Sequence, residues 1–266
     1  MTESILKEEE AFHDEWAASI DVDKIDVNQA FTACTAPENQ FIRAEMGDVT
    51  GLKVFDLGCG AGEAGVYLAT QGADVVCSDL SDGMLQVALR LAEKNGVRIA
   101  VSKSPADKIA FPDNTFDAVY AANVLHHVDI EGCLREIHRV LKPGGRLYSW
   151  DPLAHNPVIN VYRRMAMDVR TVDEHPLRMR DLNLFRQHFR TVRYRGTWLF
   201  TLWIFLRFFL IERVHPNKER YWKKVVFEAD RLKPKYQPLE RLDRLALRIC
   251  PWLTRYCWNI TVIAEK

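Results

Sequence analysis

The segment KVFDLGCGAGEAG, Lys53 to Gly65, runs a short apolar stretch straight into four glycines, Gly58, Gly60, Gly62 and Gly65. Glycines this dense between a strand-like and a helix-like segment demand tight backbone turns and close approach by a neighbour that side chains would block. Two patterns are satisfied at once. Gly60, Gly62 and Gly65 spell G-x-G-x-x-G, which marks a dinucleotide site when it follows a strand and opens a helix. Gly58, Gly60 and Gly62 spell D-x-G-x-G-x-G, with Asp56 on the strand ahead. A carboxylate there attracts an ammonium or sulfonium and repels a pyrophosphate. The first pattern alone is weakly specific, so the rest of the chain decides between them.

The surroundings alternate. KVFDLG, ADVVCSDL (Ala73–Leu80), VRIAVSKS, FDAVYAANVL (Phe116–Leu125), KPGGRLYSW, RTVRYRGTW (Arg190–Trp198) and WNITVIAEK (Trp258–Lys266) read as strands. GEAGVYLATQG, the stretch 81–95 and IEGCLREIHRVL read as helices, the first two followed by Gly72 and Gly96. This predicts an α/β fold, a doubly wound, Rossmann-like, mainly parallel seven-stranded sheet with helices on both faces and an antiparallel C-terminal strand. Helical-looking sequence separates the last two strands, which are expected to form a hairpin. The expected division is an N-terminal helical lid (1–45), a core (46–198 and 258–266) and a helical, partly apolar and basic insert (199–257). The lid opens with an amphipathic helix carrying Ile5, Leu6, Phe12 and Trp16, and a further helix is expected to begin at Pro37.

A formal net charge of zero argues against a nucleic-acid binder as a whole. The charge is uneven: residues 196–266 hold 14 Lys and Arg against 7 Asp and Glu. Such a basic part suits an anionic surface or substrate, or is solvated charge without a partner. The six cysteines form no C-x-x-C pair and no zinc-like spacing with histidine, so no metal is expected. The acidic N-terminus lacks the apolar core of a signal peptide, and a cytoplasmic location is expected, with peripheral membrane contact left open.

Four segments in order, VFDLGCGAG, VVCSDLSDGML, SPADKIAFPDNTFDAVYAANVLHHV and LREIHRVLKPGGRL, resemble the class I S-adenosylmethionine-dependent methyltransferases over roughly residues 30–150. The small-molecule type that includes the ubiquinone/menaquinone C-methyltransferases is the nearest subgroup in pattern. VLKPGG has no role in the dinucleotide fingerprint. The resemblance implies S-adenosyl-L-methionine as cofactor, bound by Asp56, Gly58, Cys59, Gly60, Gly62, Asp79, Leu80, Met84, Ala106, Asp107 and Asn123. It gives the ribose hydroxyls to Asp79, the adenine to Leu80, Met84, Ala106 and Asp107, and the methionine end to Asn123. Asp79 has an alternative as a helix cap, although Ser81 suits that role better; Met84 has one as core, and Cys59 as a small filler.

Methyl transfer displaces a group from an already activated sulfonium, so proximity and orientation can supply about 7–11 kcal/mol of the catalysis. A base is needed only if the acceptor must lose a proton. His126 and His127 in NVLHHVD, and Asp151 and His155 in WDPLAHNP, are the candidates, with Tyr162 behind them. From Trp198 to Ile211 only Thr201 and Arg207 are not apolar. As one helix this run would span about 21 Å, short of a bilayer core of about 30 Å. It is expected to be apolar all round, and to be buried, to wall a pocket or to meet lipid. Leu239, Leu242, Leu245, Ile249 and Leu253 add an amphipathic stripe downstream. The leading expectation is an enzyme that methylates a small, hydrophobic acceptor such as a quinone, terpenoid or lipid. Its rivals are a non-catalytic cofactor-binding or scaffold protein and, further off, an NAD-dependent oxidoreductase.

Overall fold

The computed structural model describes residues 3–166 and 174–266. Seven strands form one sheet: β1 (Lys53–Leu57), β2 (Asp74–Asp79), β3 (Ala100–Lys103), β4 (Phe116–Ala122), β5 (Leu141–Pro152), β6 (Thr191–Thr197) and β7 (Asn259–Glu265). Their order is β3-β2-β1-β4-β5-β7-β6. β1 to β5 pair in parallel, and β7 runs antiparallel to both its neighbours, β5 and β6. The mainly parallel, Rossmann-like sheet expected from the alternation is therefore present. The chain winds from β1 outward to β3, then returns to place β4 on the other side of β1. That reversal leaves a crevice beyond the C-terminal ends of β1 and β4, where open α/β sheets bind ligands.

Both faces are covered because successive side chains of the central strands point opposite ways. Phe55, with Phe116 and Val119, packs on one face against Leu134, Ile137 and Phe185 of α6 (Ile130–Val140) and, after the intervening α7 (Pro157–Met165), α8 (Leu182–His188). Val54 and Val75 pack on the other against Val66, Tyr67 and Leu91 of α4 (Glu63–Thr70) and α5 (Asp82–Lys94). The Ser81 hydroxyl caps α5 by accepting the Met84 N–H at 3.0 Å. α1 (Glu3–Ala18) lies against α5. The Asp14 carboxylate accepts from the Ser81 hydroxyl at 2.5 Å and the Gly83 N–H at 3.0 Å, and Lys103 bridges Glu10 at 2.7 Å and Asp82 at 2.5 Å. α2 (Val27–Thr32) and α3 (Pro37–Met46) follow, with Pro37 in the first turn as expected.

Between β6 and β7 come α9 (Trp203–Leu210), α10 (Tyr221–Phe227) and α11 (Ala229–Ile249). Thr197 pairs with Asn259, and Asn259 with Pro152 at the end of β5, so the insert leaves from the C-terminal edge of the sheet. The apolar run is not one helix from residue 198. Trp198 turns the chain with a φ of 64°, and the Asp243 carboxylate takes the N–H groups of Leu199, Phe200 and Thr201 at 3.1, 2.6 and 3.3 Å. The carboxylate thus satisfies N–H groups of an irregular turn that would otherwise lack a partner, and α9 starts only at Trp203. Nor is the run apolar all round in its surroundings. Trp198, Leu202, Ile204, Phe205 and Phe208 are buried with Tyr221, Val225, Leu232 and Tyr236, whereas Phe200, Trp203, Phe209, Leu210 and Ile211 are exposed.

Candidate functional site

A cavity of about 420 Å³ opens over the C-terminal ends of β1 and β4. The glycine loop forms its floor. A Cβ on Gly58 would lie 2.3 Å from the Val124 Cγ2, and one on Gly62 would lie 2.6 Å from the Ala88 Cβ, so these two are required by packing. Gly60 differs: a Cβ there would meet nothing within 4 Å, so its bare backbone faces the space that a ligand would fill.

Two carboxylates flank this loop. The Asp79 Oδ2 accepts the Gly60 N–H at 2.9 Å, and its Oδ1 accepts the Ser81 N–H at 3.0 Å. An ionised carboxylate offers about four acceptor sites, so each oxygen keeps capacity for one more donor, which is what a vicinal diol needs. Asp56 is buried, and its Oδ2 accepts the Gly65 N–H at 2.8 Å. Burial pushes its pKa up to about 7, partly offset by that bond. A cation in the cavity would draw the proton off.

Asp56, Gly58, Cys59, Gly60, Asp79, Leu80, Ala106, Asp107 and Asn123 all line the cavity. Gly62 supports the loop from behind. Met84 is fully buried with Ala17, Ala61 and Val87, beneath the wall rather than on it. Asn123 has a φ of 57°, a conformation that asparagine tolerates better than most residues, and its N–H donates to the Trp150 carbonyl at 2.9 Å.

Of the proton-transfer candidates, the structure brings together His126 and Asp151. The Asp151 Oδ1 lies 2.8 Å from the His126 Nδ1 and also accepts the His126 N–H at 3.2 Å. Asp151 sits behind the histidine, and burial drives its pKa well above the usual carboxylate range against the pull of backbone hydrogen bonds. His127 places its Nδ1 3.4 Å from Glu9 of α1. Both imidazoles line the cavity, whereas His155 does not. His126, His127 and Glu174 each bring one possible metal-ligand atom within 4.8 Å of the others; the sequence reading anticipated no such group, because Glu174 lies far along the chain.

The cavity also has a large aromatic lining, made by Phe31, Tyr120, Trp150, Tyr162, Trp198 and Trp258. Its polar groups are tied to one another: the Tyr120 hydroxyl and the Trp150 Nε1 donate to the Asn39 Oδ1 at 2.7 and 3.1 Å, and Glu38 accepts from the Thr197 hydroxyl and, at 2.9 Å, from the Asn259 Nδ2. Burial raises the Glu38 pKa. At the rim, Trp16 of α1 sits under the Arg220 guanidinium at 4.1 Å and the Lys223 ammonium at 4.8 Å, which joins α1 to α10 across the cavity. Sequence reasoning missed Glu38, Asn39 and the Trp16 contact. The amphipathic pattern of α1 and the basic, aromatic run NKERYWKKV were visible, but their meeting depends on tertiary structure.

The comparisons with known proteins agree with this geometry. Residues 55–149 match a family model described as a methyltransferase domain. Over 141 residues the chain is 36% identical to a sterol 24-C-methyltransferase of Aspergillus fumigatus, an alignment covering 51% of this chain and 37% of that protein. Over 140 residues it is 34% identical to phosphoethanolamine N-methyltransferase 3 of Arabidopsis thaliana, covering 49% and 28%. The chain therefore spans well under half the length of these curated relatives. The fold matches that of the YcgJ protein of Bacillus subtilis with a TM-score of 0.57 and 20% identity, covering 86% of this chain and 98% of that one. Strand order and family match converge on one conclusion: residues 55–149 of this chain form part of a methyltransferase domain, set in a Rossmann-like sheet.

Proposed function

We propose that the whole chain transfers the methyl group of S-adenosylmethionine to a small, apolar acceptor held against the aromatic lining of the cavity. The observation that carries this is one cavity lined both by a carboxylate-flanked glycine loop and by a set of aromatic side chains, with Trp222 and Phe227 of the insert among them. Asp79 would hold the ribose and Asp56 the cationic end of the cofactor, beside the bare backbone of Gly60. When bound, the cofactor supplies an activated methyl on a sulfonium. The protein's part is then to align the acceptor and to exclude water. Where the acceptor carries a hydroxyl or an amine, the His126–Asp151 pair would receive its proton.

The relatives named for a sterol and for phosphoethanolamine bracket two acceptor chemistries. The aromatic wall favours the first kind, a ring lipid, quinone or terpenoid, and Arg220 and Lys223 at the rim suit an acceptor with an anionic end. No helix among the described residues is long and apolar enough to cross a membrane; contact with a membrane surface is part of this proposal, because an apolar acceptor resides there. The rival reading, a cofactor binder without turnover, is separated by one pair of measurements. Titration should show binding of S-adenosylmethionine and not of NAD, and S-adenosylhomocysteine should be released when lipid extract is added. Binding without release from any extract would leave the rival standing.

A further inference from the structure

The C-terminal half of α11 carries an apolar stripe that none of the described residues covers. Leu242, Leu245 and Ile249 are 45%, 54% and 68% exposed and lie one, then two helical turns apart, and Trp252, 63% exposed, follows in the next turn (Pro251–Tyr256). Scattered exposed apolar residues are ordinary, but an ordered row is not. One position before each helical member of that row stands an exposed arginine: Arg241, Arg244 and Arg248, with Arg255 beyond. From 241 to 258 the lone acidic residue is Asp243, and it is buried, its oxygens taken by Leu199, Phe200 and Thr201. Arg244 pairs with Glu240 at 3.0 Å; no carboxylate pairs with Arg241, Arg248 or Arg255 among the described residues.

The approach to α9 is pinned to Asp243, and its exit is held where Glu212 meets Arg231 at 3.0 Å. α9 presents Trp203, Leu210 and Ile211 to solvent.

We propose that this face of the insert docks on an anionic phospholipid bilayer. An amphipathic helix lying in the interface inserts its apolar row among the acyl chains and sets its arginines against the phosphates, and tryptophan and tyrosine favour headgroup depth, as Trp252 and Tyr256 would. A second copy fits less well: a two-fold contact would bring the arginine row against itself, and Glu240, the acid beside that row among the described residues, is already taken by Arg244. The inference rests on the apolar-acceptor reading for its purpose, since a docked insert holds the cavity it helps to line beside a membrane-borne acceptor; its geometry stands apart from that reading.

Flotation with phosphatidylcholine vesicles, with and without phosphatidylglycerol, tests it without acceptor or cofactor. The protein should float with the anionic vesicles and not with the neutral ones. Each surface arginine is worth about fivefold in partitioning. R241E combined with R244E and R248E should therefore reduce binding on the order of 100-fold, and L245E with I249E should abolish it, with S-adenosylmethionine affinity unchanged in both. Failure of the parent to bind anionic vesicles overturns the inference. So does equal binding by the charge-reversed variant, or a parent dimer in sedimentation velocity that L245E with I249E converts to monomer. Anionic-vesicle binding accompanied by turnover of water-soluble acceptors alone would support the docking face and overturn the apolar acceptor.

Discussion

Asp56 and Asp79 stand on either side of the same glycine loop, yet their environments give them different tasks. Asp79 is hydrogen-bonded through both oxygens to the N–H groups of Gly60 and Ser81, so it fixes the loop while lining the cavity. Asp79→Ala should weaken S-adenosylmethionine binding by about 1.5–3 kcal/mol, the range for hydrogen bonds to a charged group; equal affinity by calorimetry would remove it from the site. Burial pushes the Asp56 pKa up to about 7 from the ordinary carboxyl value of 3.8. The folded protein therefore holds a proton there that the unfolded chain has released, and stability falls as pH rises between those two values. Such a shift corresponds at most to about 4 kcal/mol. Asp56→Asn should raise the melting temperature at pH 8, have little effect at pH 4, and weaken cofactor binding at pH 8. For the parent, affinity should increase as pH rises through about 7. A flat affinity profile, or a destabilised Asp56→Asn protein at pH 8, would show that Asp56 does not face the cationic end.

Among the elements, the aromatic cluster around α9 divides the apolar run into an inner and an outer face. Phe205 is 3% exposed and packs against Trp198, Tyr221 and Trp258, whereas Phe209 is 37% exposed. Phe205→Glu should destabilise the protein by at least the about 3–5 kcal/mol typical of truncating a buried phenylalanine, and Phe209→Glu should stay within about 0.5 kcal/mol; similar thermal-melt shifts for the two would contradict this packing. The division also shows what the sequence could reveal. The strands β1, β2 and β4 and the glycine loop were legible because local rules govern them: unbroken apolar runs, helix caps at Ser81 and glycines where φ is positive. The turn after Trp198 was not legible, because its N–H groups are satisfied by Asp243, more than forty residues away. The aromatic lining was hidden for the same reason. Phe31, Tyr120, Trp150, Trp198 and Trp258 come from five separate segments and meet only once α2, the sheet edge and the insert are assembled. His126 and Asp151 were each visible at a strand end, but their 2.8 Å contact depends on β4 and β5 being neighbours.

Across the whole molecule, the sheet's C-terminal edge collects everything the proposed reaction needs: the glycine loop after β1, Asp79 after β2, the histidine pair after β4, and the insert that emerges between Thr197 and Asn259. Helix α1 closes the arrangement over this edge, held by Asp14 on α5 and by Trp16 beneath Arg220 and Lys223. Trp16→Ala should open that rim. It should raise the KM for an apolar acceptor while leaving the melting temperature near that of the parent, because the cation–π contacts at such a site are worth about 0.5–1 kcal/mol each; an unchanged KM would make α1 a cover without a part in acceptor binding. The most direct test of the whole assignment is to follow the methyl group itself. The protein is incubated with S-adenosylmethionine labelled in its methyl carbon and a total lipid extract, and the products are separated by phase and read by mass spectrometry. Label in an apolar, organic-phase product, lost together with the Asp79→Ala substitution, is the predicted result. Label confined to water-soluble products, or cofactor bound and recovered unreacted from every fraction, would contradict it.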